Sequence, residues 1–217
     1  MFKSLSLKVI IFGFIFTFFS SFGQSFFLGL FNSSIRDALS ITQGQFGTIY
    51  ASATLLSSFL LIWVGKKIDD INIFKFAFFV TILLSFSCFF FSKISSITFL
   101  FIAIFLMRFS GQGMMSHTAT TTVSRYFTKS RGRALSICWF GLSSAEFILP
   151  VLMVFLLSLT TWQNIWTVIA ILILIFLPIA SFYLVRTVKL DTRESTEGKD
   201  FKEENIKQWK RIEVIKD

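Results

Sequence analysis

Apolar residues gather along this chain into six blocks, at about 9–31, 44–64, 74–92, 97–124, 134–158 and 164–185. At 1.5 Å of rise per residue each block is long enough, as a helix, to cross a hydrocarbon core of about 30 Å. No water is available there, so every backbone N–H and C=O must be satisfied within its own segment, and each block is predicted to be a helix. The blocks lack the strict two-residue alternation of an outer-membrane barrel. Lys3 and Lys8 precede the first block in the manner of a signal peptide. That block is too long for a signal h-region and lacks a small-x-small cleavage site, so it is predicted to be an uncleaved span.

Short polar stretches separate the blocks. Asn32 to Gln43 carries Arg36 and Asp37, and Gly65 to Asn72 is a charged turn. Lys93 to Ser96 and Leu159 to Gln163 are tight, and Arg125 to Arg133 is basic. From Arg186 onward the chain is charged. Residues 187–200 have the composition of a flexible cytoplasmic linker. In 201–217, Ile206, Trp209, Ile212 and Ile215 recur every third residue among Lys207, Lys210, Arg211 and Lys216. That pattern fits an amphipathic helix on an anionic leaflet; an ordinary charged linker is the other reading.

Composition agrees. Of the 217 residues, 54% are hydrophobic and 15% charged, against roughly 45–50% and 25% in soluble domains. The net charge of +9 does not point to nucleic acid, because the charge is sorted by loop rather than gathered on one face. Of the 21 Lys and Arg residues, 18 fall in the two termini and the second and fourth connections, and only Arg36 and Lys93 in the others. The positive-inside rule then puts both termini in the cytoplasm. Trp63 and Trp139 fall at cytoplasmic block ends, and Trp162 and Trp166 at the outer end, as in an interfacial aromatic belt. Cys88 and Cys138 lie in different blocks, near opposite ends of the membrane, so no bridge is expected. With a single His and no nucleophile–base pair or phosphate-binding loop, neither a metal, a cofactor nor an enzyme activity is expected.

Two ionisable residues stand out inside the blocks. Arg108 is eleven residues into the fourth block, about 16 Å deep, where a guanidinium costs about 2.5–3.5 kcal/mol on insertion scales. It either receives a carboxylate in a central cavity or holds helices together through backbone carbonyls or Glu146. Glu146, central in the fifth block, is either a proton-coupling group or the structural partner of Arg108. Unpaired at that depth it would hold a proton; beside Arg108 it would stay ionised. Gln112 follows Arg108 by four residues and is expected on the same face. Gly111 and Gly113 allow a neighbouring helix or a substrate to approach closely. Pro150, one turn after Glu146, is expected to bend the fifth span. Gln24 either faces the cavity or ties helices together. His117 is about half a turn away from the Arg108 face and is a lesser candidate for a proton path.

Three stretches resemble the major facilitator superfamily, in particular bacterial monocarboxylate-transporter-like and oxalate/formate-antiporter-like members. They are Ser21 to Phe27, Arg108-Phe109-Ser110-Gly111-Gln112-Gly113, and Arg131-Gly132-Arg133-Ala134-Leu135-Ser136 running on to Gly141, Glu146 and Pro150. The turn from Gly65 to Asp69 is similar to that family's cytoplasmic loop motif, although Asp70 and Asn72 replace the usual basic residue and glycine. The resemblance implies an all-α membrane protein in which six transmembrane helices, a 3+3 inverted repeat, form one half of a major-facilitator fold. It also implies a secondary transporter of the bacterial inner membrane. Such a protein moves a small organic anion by alternating access, coupled to protons or to anion exchange. Burial and helix-face position put Arg108, Gln112 and Gln24 forward as substrate-binding residues, whereas in the resembled family the motif arginine is often structural or part of a proton path. The expected partners are the lipid bilayer, the anion, protons, and a C-terminal six-span half or a second copy; the chain is expected to be a fragment of a longer transporter. The alternative is a non-transporting six-span interaction or sensory protein, or a half-transporter that dimerises.

Overall fold

The computed structural model describes residues 4–188, so the tail positions Ile206, Trp209, Ile212 and Ile215 lie outside the described residues. Among the described residues there are helices and turns and no strand. Six helical stretches among the described residues are long and apolar enough to cross a membrane: Leu5–Gly29, Gln43–Asp69, Ile73–Phe91, Ile97–Tyr126, Arg131–Leu159 and Trp162–Val185.

Span 1 is not one helix. It comprises α1 (Ser4–Ser20), a single 3-10 turn at Ser21–Gly23 and a short α2 (Ser25–Gly29). Gln24 joins the last two in extended conformation, with φ −82° and ψ 155°. The connection that follows, polar in sequence, folds into α3 (Asn32–Leu39), which buries Ile35 completely and ends at Ser40 with φ 53°. A short amphipathic helix with one buried anchor is hard to tell from a polar loop by pattern alone.

Span 2 is α4 (Gln43–Val64), followed by a 3-10 turn at Gly65–Asp69. Thr42 starts α4 with a capping box: its hydroxyl accepts the Gln45 N–H, and Gln45 Oε1 accepts the Thr42 N–H. Span 3 is α5 (Ile73–Phe91), started by Asn72, whose Oδ1 accepts the Phe74 N–H. Span 4 comprises α6 (Ile97–Met107), a wide π-helical stretch from Arg108 to Met115, and α7 (Ser116–Tyr126). Spans 5 and 6 are α8 (Arg131–Leu159) and α9 (Trp162–Val185).

Small residues and hydroxyls set the packing, as expected where lipid gives no hydrophobic drive for helices to associate. Thr17 Oγ1 of α1 donates to the Cys138 carbonyl of α8 at 2.5 Å, and Gly141 of α8 lies against the Phe14 carbonyl. Ser85 Oγ of α5 donates to the Ala170 carbonyl of α9 at 2.8 Å. These contacts give two tight pairs, α1 with α8 and α5 with α9, while α4 packs along span 4. Cys88 and Cys138 are both buried and free.

The aromatic belt needs one correction. Trp63 and Trp139 are exposed, at 51% and 40%, as belt residues should be, whereas Trp162 and Trp166 are buried. Trp166 is wrapped by Phe27, Phe31 and Phe91, with ring centroids 5.4, 5.2 and 4.5 Å away. The first turn of α9 packs between α5 and the broken end of span 1, so its indoles face the protein interior.

Candidate functional site

Two irregular stretches of backbone meet near the centre of the bundle. The break in span 1 lies against the π-helical part of span 4, and Gly23 and Gly111 are the points of contact. A Cβ on Gly111 would sit 2.7 Å from Gly23 Cα, and one on Gly23 would sit 2.5 Å from the Gln112 backbone N and 2.8 Å from Gly111 Cα. No side chain fits at either position. The sequence gives Gly111 a close-approach role, and its partner is the span-1 backbone. Gly113 is less demanding: its added Cβ would meet the Leu61 methyls of α4 at 3.2–3.3 Å.

Arg108 opens the π-helical stretch and is 6% exposed. Its Nη1 donates to the Gly23 carbonyl at 2.9 Å and to Ser25 Oγ at 3.3 Å. The Tyr50 ring of α4 lies under the guanidinium, with Cζ 5.3 Å from the ring centroid, and Tyr50 OH donates to Ser25 Oγ at 2.9 Å. The break in span 1 frees the Gly23 carbonyl from regular helical pairing, and the arginine supplies a charge-assisted donor in its place. The aromatic face adds a second favourable contact for the cation. The Arg108–Ser25–Tyr50 cluster thereby ties spans 1, 2 and 4 together.

Arg108 is therefore held by spans 1 and 2 rather than by Glu146. Glu146 is exposed on α8, and among the described residues the one ion pair lies elsewhere. The expected link between spans 4 and 5 through these two side chains is not formed, because Arg108 turns toward Gly23 while Glu146 points out of the bundle. Pro150 sits inside an α8 that continues from Arg131 to Leu159. Gln24 and Gln112 are both partly buried near the break. Gln112 Oε1 is buried without a hydrogen-bond partner, as are Arg108 Nε and, on the facing side of α4, Thr54 Oγ1. Ser25 and Tyr50 were not legible as site residues in the sequence; the one cue was a hydroxyl next to Gln24 in the middle of an apolar block.

A second cluster lies at the end of the bundle where the basic connections meet. His117 Nε2 is 2.9 Å from the Gly65 carbonyl, and Asp69 pairs with Arg125. Lys66 and Thr121 complete a shallow cavity of about 340 Å³. His117 thus belongs with the Gly65–Asp69 loop and not with Arg108. The loop is pinned to the end of span 4, with one hydrogen bond at its start and one ion pair at its end.

Two glycines in backbone contact, a buried arginine at a helix break and a loop latched to span 4 are joined by one further observation. The model of the Major Facilitator Superfamily matches residues 13–216. The chain belongs to the Major Facilitator Superfamily. No curated protein and no solved structure matches it. Membership makes it an integral membrane protein of a transporter family, and its six candidate spans without strands among the described residues agree with half of a major-facilitator fold.

Proposed function

We propose that this member of the superfamily is a secondary transporter for a small organic anion, a monocarboxylate being the simplest candidate, working by alternating access. The observation that carries this reading is the state of Arg108. Its guanidinium is buried in an apolar span: Nη1 donates to Gly23 and Ser25, the Tyr50 ring lies beneath it, and Nε is buried without a hydrogen-bond partner. Nη2 remains for an incoming carboxylate oxygen, beside the partly exposed Ser25, Tyr50, Gln24 and Gln112. A planar, always-charged fork at that depth favours a carboxylate over neutral or cationic solutes.

Glu146 is the proposed proton-coupling group, and His117 a lesser one at the cytoplasmic end. Either anion exchange or proton symport satisfies the charge balance. The cytoplasmic placement of both termini rests on the loop charges. The proposed partner is a second six-span unit, either the other half of a longer chain or a second copy. Spans 2 and 5 are the reason: only 11% and 17% of their most apolar windows are buried, against 33–56% for the other four. Thr48, Ser52 and Ser58 of α4 and Ser143 and Glu146 of α8 are exposed, and a carboxyl facing hydrocarbon is costly.

The test is uptake into proteoliposomes containing the full-length protein. Labelled small carboxylates are supplied with and without an inward proton gradient. Accumulation of a carboxylate, competed by other small anions, supports the proposal. Transport confined to neutral or cationic solutes overturns it.

A further inference from the structure

Between spans 5 and 6 the bundle leaves an apolar crevice of about 430 Å³. Its origin is the pairing of the helices. α8 is pulled onto α1 by the Thr17–Cys138 hydrogen bond and the Gly141–Phe14 contact, and α9 is pulled onto α5 by the Ser85–Ala170 bond. The two helices share the tight turn at Thr160 and Thr161 yet diverge below it, and Phe18, Phe19 and Phe22 of span 1 form the floor between them.

We propose that this crevice is a binding site for one acyl chain of a phospholipid, in the leaflet opposite the basic connections. Three observations select that occupant. First, the crevice opens onto the exposed apolar surface of spans 5 and 6. Its walls include Ile148, Leu152, Val168 and Leu172, which are 49%, 43%, 62% and 48% exposed and uniformly apolar. Second, its length fits a single leaflet. It runs from Thr160 back to Ile148 along α8, about 18 Å at helical rise, against about 15 Å for half of the hydrocarbon core. Third, its only polar residues sit at the membrane-surface end. Asn164 Nδ2 donates to Thr160 Oγ1 at 3.1 Å, which leaves the second amide hydrogen and the carbonyl oxygen of Asn164 for a headgroup or ester.

On α8 the crevice is lined by Ile148, Leu149, Leu152, Met153, Leu156 and Thr160, whose directions centre roughly 80° round the helix from Glu146, so the crevice lies beside the carboxyl's face of span 5. The site stands independently of which solute is carried.

The experiment uses the full chain in nanodiscs containing a phospholipid with a diazirine on its acyl chain, with labelled residues mapped by peptide mass spectrometry. Labelling of the crevice residues is expected to exceed that of Ile171 and Ile175 by about fivefold; those residues are also lipid-exposed on α9, at 52% and 59%. Ile169→Trp, which adds bulk from the α9 wall of the crevice, should abolish that excess and leave Ile171 and Ile175 labelled as before. Asn164→Ala should weaken it. Uniform labelling of crevice and control residues in the unmodified protein overturns the proposal even if the filled variant fails to fold. Crosslinking of the crevice to a second polypeptide, in place of lipid, also overturns it.

Discussion

Gly23 and Gly111 bring the backbones of spans 1 and 4 into direct contact, with the Cβ position of Gly111 only 2.7 Å from Gly23 Cα. This contact places the free carbonyl of Gly23 within 2.9 Å of Arg108 Nη1. Close approach and charge neutralisation are therefore one feature: without the glycines the arginine would lose its backbone acceptor.

Gly111→Ala and Gly23→Ala should each destabilise the fold by about 1–3 kcal/mol, the usual cost of forcing extra volume into a packed core. Gly132→Ala, where an added Cβ meets nothing within 4 Å, is the control and should be neutral or slightly stabilising. Thermal unfolding in detergent reads the difference. Equal midpoints for Gly111→Ala and Gly132→Ala would contradict the backbone contact.

Arg108→Lys should reduce carboxylate uptake at least about tenfold while leaving the protein in the membrane. An ammonium keeps the charge but cannot hold the Gly23 carbonyl and Ser25 in one plane and still present a second parallel donor. A charge-assisted hydrogen bond lost here is worth about 1.5–3 kcal/mol, which covers a tenfold change. Uptake in proteoliposomes, normalised to reconstituted protein, is the measurement. Normal uptake by Arg108→Lys would reduce the arginine to a generic positive charge.

Glu146→Gln should leave thermal stability unchanged, because the carboxyl has no ion-pair partner among the described residues. The same variant should lose accumulation driven by a proton gradient and keep anion exchange between pre-loaded vesicles. Gradient-driven accumulation that survives the substitution removes Glu146 from the coupling step.

The Asp69–Arg125 pair is partly solvent-exposed, at 55% and 37%. A double-mutant cycle of Asp69→Asn and Arg125→Gln should therefore give a coupling energy of no more than about 1 kcal/mol, falling as salt is raised. Its contribution lies in holding the loop onto span 4, so each single variant should change the transport rate more than it changes stability. A coupling energy of several kcal/mol would show instead that the pair is effectively buried.

The sequence by itself determined the spans and their class. Runs of apolar residues as long as a bilayer is thick admit one backbone solution, and an arginine inside one of them marks its own depth without any contact being known. Tertiary structure alone decided what that arginine touches. Glu146 was the natural partner along the chain, as the one acid inside a block, but partner choice depends on which faces of which helices meet. The break after Gly23 offered a nearer acceptor: a carbonyl carries no signature in sequence, and its availability exists only because the span-1 helix stops there. Trp166 makes the same point from the other side, since its place at the end of a span was readable while its burial among phenylalanines was set by how α9 packs. Depth follows from counting residues along one helix; neighbours follow from the packing of several, and in a bilayer that packing turns on glycines and hydroxyls whose partners are distant in the chain.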